Sequence, residues 1–226
     1  MSVRAVLLDA LGTLVRLEPP PPRLRAELRR LTGLDVGAEA AERAFAAEIA
    51  YYLEHHLDGR DESGLEDLRD RCARVVHEAL ERPGLERGAV REAMLGSLEF
   101  TAYPDVAPAL EALRKRDIRL VVASNWDCSL PAVLERAGLA QAVDGVVSSA
   151  VVGRAKPAPE VFRRALELAG TAAHEALFVG DSLENDVLGA RGAGVRAVLL
   201  ARAGDPPTGV EAVRSLSELP SLVFAG

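Results

Sequence analysis

The chain has 226 residues, of which 49% are apolar, 27% charged and 4% aromatic, and its formal net charge is -7. Such values describe a globular protein whose core is built mainly from Leu, Val and Ala, and they exclude a general nucleic-acid binder, which would carry a basic face. No stretch approaches the ~18 apolar residues needed to span a bilayer, so no membrane partner is expected.

The N-terminal MSVRAVLLD enters a strand almost at once and leaves too short an apolar run for a signal peptide. Cys72 and Cys128 are far apart, fit no metal spacing, and read as free thiols of a reducing compartment, so a cytoplasmic location is expected. Among the 27 cationic residues only Lys115 and Lys156 are lysines, which makes each lysine worth noting. Mixed runs such as RLRAELRR (23–30) read as solvated helix faces.

Five short apolar runs read as buried parallel strands: VRAVLL (3–8), IRLVVA (118–123), VDGVVS (143–148), EALFVG (175–180) and VRAVLL (195–200). They lack alternation, as strands covered on both faces do. Helical patterns separate the later runs: SLPAVLERAG, PAPEVFRRALELAG and LENDVLGARGAG, with Gly at or near the expected helix end in ERAG and ELAG. Strand alternating with helix gives right-handed crossovers and an α/β fold, a Rossmann-like doubly wound parallel five-stranded sheet, order 3-2-1-4-5.

Residues 17–100 break the rhythm. Leu65, Leu68, Cys72, Val75, Val76 and Ala79 recur at helical spacing, as do Phe45, Ile49, Tyr52 and His56. The expected organisation is a core domain of 1–16 and 101–226 with an inserted helical cap of 17–100. The Pro run 19–22 reads as one hinge, 57–64 as an inter-helix loop, and Tyr103–Pro104 as a second hinge before the helix APALEALRKR. A helical lid over a sheet end would exclude water from a site there.

Ligands of open α/β sheets bind at the carboxyl ends of the strands. Asp9 follows the first strand, Ser124, Asn125, Trp126 and Asp127 the second, and Lys156 the third; Asp181 follows the fourth, with Asp186 at the start of the next helix. Singly, each has a plain structural explanation: a turn for Asp9, a cap for Ser124, surface charge for Lys156, a helix N-terminus for Asp181 and Asp186. Together they suit a nucleophilic carboxylate, Asp9, attacking a negatively charged electrophile whose charge Lys156 and Ser124 hold. Asp9 and Asp181 would converge on Mg²⁺, with Asp186 supporting the metal shell. Asn125 would orient substrate or nucleophile. Trp126 reads as loop packing rather than a substrate wall, and Tyr51 and Tyr52 as core of the helical insert.

DALGTL, VVASN, Lys156 followed by Pro, and VGDSLEND together resemble, in order, the four motifs of the haloacid dehalogenase superfamily of hydrolases, across the whole chain. The resemblance implies a covalent intermediate on Asp9, binding of the phosphoryl or charged group by Ser124 and Lys156, and Mg²⁺ held by Asp181, Asp9 and the backbone carbonyl of Leu11. The implied substrate is a small molecule, a phosphate ester. The sequence sets no oligomeric state.

Leu11 departs from the pattern. Phosphatases of that superfamily carry a second Asp two residues after the nucleophile as general acid and base. Three readings follow. The favoured one is a Mg²⁺-dependent phosphatase-like hydrolase of a small phosphorylated metabolite, its missing acid supplied by Glu54, His55 or His56 or by the substrate. The second is a 2-haloacid dehalogenase, whose departing halide needs no proton; in that branch the fourth motif usually loses its first acid, whereas Asp181 is present here. The third is a ligand- or partner-binding protein with weak catalysis.

Overall fold

Aliphatic runs too short for helices, each bounded by turn residues, form a parallel sheet in the structure, a computed structural model describing residues 3–224. In chain order the elements are β1 (Ala5–Leu8), β2 (Val15–Leu17), α1 (Pro20–Thr32), α2 (Ala38–His55), α3 (Glu62–Leu80), α4 (Arg87–Ser97), β3 (Phe100–Ala102), α5 (Val106–Arg114), β4 (Arg119–Ser124) and α6 (Leu130–Arg136). They continue with β5 (Gly145–Ser148), α7 (Ser149–Val152), α8 (Pro159–Ala169), β6 (Ala176–Gly180), a π-helical turn Leu183–Leu188 running into α9 (Gly189–Gly192), β7 (Arg196–Leu200), β8 (Ala212–Val213) and α10 (Leu219–Phe224). The chain forms two units, Met1–Arg16 with Ala102–Gly226, and Leu17–Thr101.

In the first unit the sheet order is β5-β4-β1-β6-β7-β8, all parallel. The five strands expected from sequence lie in the expected order. β8 is a sixth that the sequence reading missed, because two residues, Ala212 and Val213, carry no readable pattern; they extend the sheet by pairing with Leu199 and Leu200. Every residue of β1 and β6 is buried, and the Phe178 ring meets Phe162 of α8 edge-on at 5.1 Å. Register sets the site: Leu8 pairs with both Val122 and Val179, so Asp9, Ser124 and Asp181 leave the sheet at one edge within a residue of each other.

In the second unit four helices bury one apolar core that includes Leu24, Leu28, Phe45, Leu68, Cys72 and Val76. Two expectations are corrected. The Pro run is no hinge loop: Pro20–Pro22 are the first turn of α1, where no N–H is required and the fixed φ of Pro is already helical. The insert 17–100 is also not helical throughout, since Leu17 ends β2 and Phe100 starts β3, and these two strands pair with each other.

The buried face of α2 is also shifted: Ile49 is exposed and Glu48 takes the inward position. Burial pushes the Glu48 carboxyl up to about 6, against a smaller opposing hydrogen bond from Cys72. A carboxyl raised on folding adds stability below its unfolded pKa and loses it as pH rises through about 6. Glu48→Gln should therefore raise stability at pH 7.5 by up to about 2 kcal/mol and change it little at pH 4.5. Urea titrations at both pH values check this; equal effects at both would refute it.

Candidate active site

Asp9 is fixed first by its backbone, whose N–H donates to the Val179 carbonyl at 2.9 Å, one residue past β1. Its buried carboxylate accepts at Oδ1 from Ser124 Oγ at 2.8 Å and from Lys156 Nζ at 2.6 Å. Lys156 Nζ also donates to Asp186 Oδ1 at 2.6 Å and lies 5.1 Å from the centroid of the Phe178 ring. The Lys156 side chain is 2% exposed, so the ammonium gives up its hydration for these two carboxylates. Asn125 holds the backbone of that lysine from both sides: its Nδ2 donates to the Lys156 carbonyl at 3.0 Å, and the Lys156 N–H donates to Asn125 Oδ1 at 2.7 Å. The carboxamide is thus committed to the lysine backbone.

Two glycines let the acids approach. Gly180, the last residue of β6, lies against Asp186, where a Cβ would stand 2.3 Å from Oδ2. That oxygen accepts from the Ser182 N–H at 2.9 Å. Gly12 has φ +80° and faces Asp181, whose Oδ2 would lie 2.1 Å from an added Cβ. Only Gly tolerates both that backbone and that contact. Oxygens of Asp9, Asp181 and Asp186 lie within 4.8 Å of one another.

Three carboxylates and one ammonium leave an excess of negative charge. The carboxyl of Asp181, though open to solvent on one side, is pushed up to about 6 by loss of hydration and then by repulsion from Asp9 and Asp186. Burial and Asp9 raise Asp186 too, against the pull of Lys156. Burial works against the Lys156 ammonium, but the attraction of Asp9 and Asp186 outweighs it and holds its pKa above the usual lysine value. A divalent cation bound by oxygens suits this donor set and charge.

The remaining sequence candidates fall as follows. Leu11 is 44% exposed in the turn after β1 and brings no acid. Trp126 is buried, with its N–H donating to Ser149 Oγ and its carbonyl accepting from Ser148 Oγ, so it packs in the loop. Asp127 accepts from the Ser129 N–H at 2.7 Å at the start of α6. In the helical unit, His55 stacks on Tyr51, and His56 is buried with Nδ1 2.9 Å from the Leu53 carbonyl. Glu54 is exposed. Tyr51 and Tyr52 pack against the helical core.

Sequence reading gave no role to Gly12 and Gly180, although DALGTL and VGDS carried a signal for both, as small residues beside acids that must converge.

The profile of the haloacid dehalogenase-like hydrolases matches residues 3–194. Phosphatase MT3486 of Mycobacterium tuberculosis is 32% identical over 233 residues, covering 99% of this chain and 98% of the relative. Among solved structures, a phosphatase of the same superfamily from Thermococcus onnurineus has a TM-score of 0.67 at 28% identity, covering 98% of both chains. A 2-haloacid dehalogenase from Pseudomonas syringae has a TM-score of 0.67 at 25% identity, covering 99% of this chain and 98% of the other.

Proposed function

The chain belongs to the haloacid dehalogenase-like hydrolases, and we propose that within them it is a Mg²⁺-dependent phosphatase acting on a small phosphorylated metabolite through an aspartyl intermediate on Asp9. The observation that carries this reading is the triad of carboxylates, Asp9, Asp181 and Asp186, whose oxygens converge within 4.8 Å, with Lys156 bonded to Asp9 and Asp186. Neither a phosphoryl dianion nor a haloacid anion would approach that excess of negative charge unaided. The Mycobacterium tuberculosis relative, named a phosphatase, supports the same class.

In this reading both donors to Asp9, Ser124 and Lys156, act on Oδ1, and among the described residues no protein donor bonds Oδ2. Oδ2 is then the oxygen free to attack phosphorus, forming an O–P bond as the ester P–O bond breaks and the leaving oxygen departs with its electron pair. Ser124 and Lys156 hold the transferred group, Asp186 holds the ammonium of Lys156, and Asn125 holds its backbone. Asp9, Asp181 and the Leu11 carbonyl would bind Mg²⁺, which would screen carboxylate from phosphoryl and polarise a phosphoryl oxygen. Water then cleaves the aspartyl phosphate, releasing inorganic phosphate and restoring the Asp9 carboxylate. The region 17–100 serves as the cap, and the protein works in the cytoplasm. Leu11 confines fast turnover to acidic leaving groups, or to substrates that supply their own proton.

Purified protein should hydrolyse p-nitrophenyl phosphate with Mg²⁺ and lose that activity in EDTA. Asp181→Asn should weaken Mg²⁺ binding more than about tenfold by calorimetry. Leu11 also favours a second reading, 2-haloacid dehalogenation, because a halide leaves without a proton. Chloride released from 2-chloropropionate in EDTA, with no phosphate released from the ester, would replace the first reading with the second.

A further inference from the structure

Arg202 lies two residues beyond β7, yet its guanidinium donates to the turn that follows β1. Nε donates to the Gly12 carbonyl at 3.2 Å and one terminal nitrogen to the Thr13 carbonyl at 2.7 Å. The same group grips Asp105 through both oxygens at 3.0 and 3.1 Å, and stacks 3.8 Å from the centroid of the Tyr103 ring. Asp105 is anchored in turn by Ser215 Oγ at 2.7 Å and the Leu216 N–H at 2.8 Å. Burial alone would raise its carboxyl, but the hydrogen bonds from Arg202, Ser215 and Leu216 outweigh it and lower its pKa. The Tyr103 N–H adds a bond to the Leu14 carbonyl at 3.1 Å.

What this clamp spans matters more than its bonds. In the sheet β6 lies between β1 and β7, and Asp181 follows directly after β6. An arm from beyond β7 to the turn after β1 therefore crosses the end of the strand that presents Asp181. The residue it pulls on, Gly12, is the one whose α-carbon rests against the Asp181 carboxylate. We infer that Arg202 is a positioning residue: it holds the Leu11–Thr13 turn against Asp181 and thereby sets the affinity of the Asp9–Asp181 cluster for a divalent cation. The inference rests on the reading of that cluster as a Mg²⁺ site.

A planar fork with fixed donors suits four acceptors at once, whereas an ammonium is a point donor. Arg202→Ala and Arg202→Lys should both bind Mg²⁺ about 10- to 100-fold more weakly than wild type in calorimetry, the usual effect of losing a group that orients a ligand set. In the metal-free proteins, hydrogen exchange of the segment 9–16 should be faster in both, with the segment over β4 unchanged. Ser215→Ala, which loses a bond to Asp105 but none to the turn, should lower the melting temperature and leave Mg²⁺ affinity within twofold of wild type. If Arg202→Ala does not fold, Arg202→Lys carries the test. Wild-type affinity in a folded Arg202 variant, or equal weakening in Ser215→Ala, overturns the inference alone. Failure of the wild type to bind Mg²⁺ overturns the reading of the site, and the inference with it.

Discussion

Leu11→Asp is expected to raise kcat/KM on an unactivated alkyl phosphate by about 10²- to 10⁴-fold, the usual worth of general acid–base help. The side chain at 11 follows Asp9 by two residues and is 44% exposed, so a carboxyl there enters without displacing core atoms. It would stand close to a cluster already rich in negative charge, where Asp181 is held up at about 6. In the metal-free protein the same repulsion would raise the new carboxyl, and bound Mg²⁺ would offset it. On an aryl phosphate, whose leaving oxygen needs little protonation, the gain should stay below about tenfold. Steady-state kinetics on a pair of substrates differing only in the leaving group would measure the contrast. Equal gains on both would mean that the substitution acts through charge or metal affinity; no gain on the alkyl ester would mean that the acid at 11 is not what limits turnover.

The parts of this site that could be read in the sequence share one physical origin. Parallel strands buried on both faces leave continuous apolar runs, and parallel topology brings their carboxyl ends to one edge, so the residues after each run could be read as neighbours. Asp9, Ser124, Lys156, Asp181 and Asp186 do meet there. What stayed hidden depends on contacts without a pattern. The inward turn of Glu48 could not be seen because the periodicity of α2 favoured Ile49, the more apolar neighbour. The bracket of Asn125 on the Lys156 backbone depends on how two loops after β4 and β5 approach each other, which composition does not encode. Arg202 bonds residues 189 and 190 positions away. β8 is too short for any period, and the Pro run of α1 carries the same signal in a turn as in the first turn of a helix.

Lys156→Met is expected to lower stability by about 3–5 kcal/mol at neutral pH, the usual cost of removing one partner from a buried charge cluster. Methionine fills the space and keeps the contact with Phe178, so the loss reports charge rather than a cavity. Without the ammonium, Asp9 and Asp186 face each other unscreened, and the Ser182 N–H and Ser124 hydroxyl remain as donors to them. Hydrolysis should fall by at least about 10²- to 10³-fold, since the donor proposed to hold the transferred group is gone. Adding Asp186→Asn separates the two effects. It removes one of the unscreened charges, so the double variant should recover part of the stability, with a coupling of about 0.5–3 kcal/mol in the cycle, while activity stays lost. Denaturant titrations of the four proteins in EDTA give the cycle directly. A Lys156→Met protein as stable as wild type, or strictly additive effects, would mean that the ammonium does not hold the acids together. In the expected outcome a single side chain, one of only two lysines in the sequence, both keeps the carboxylates in place and binds the group they act on.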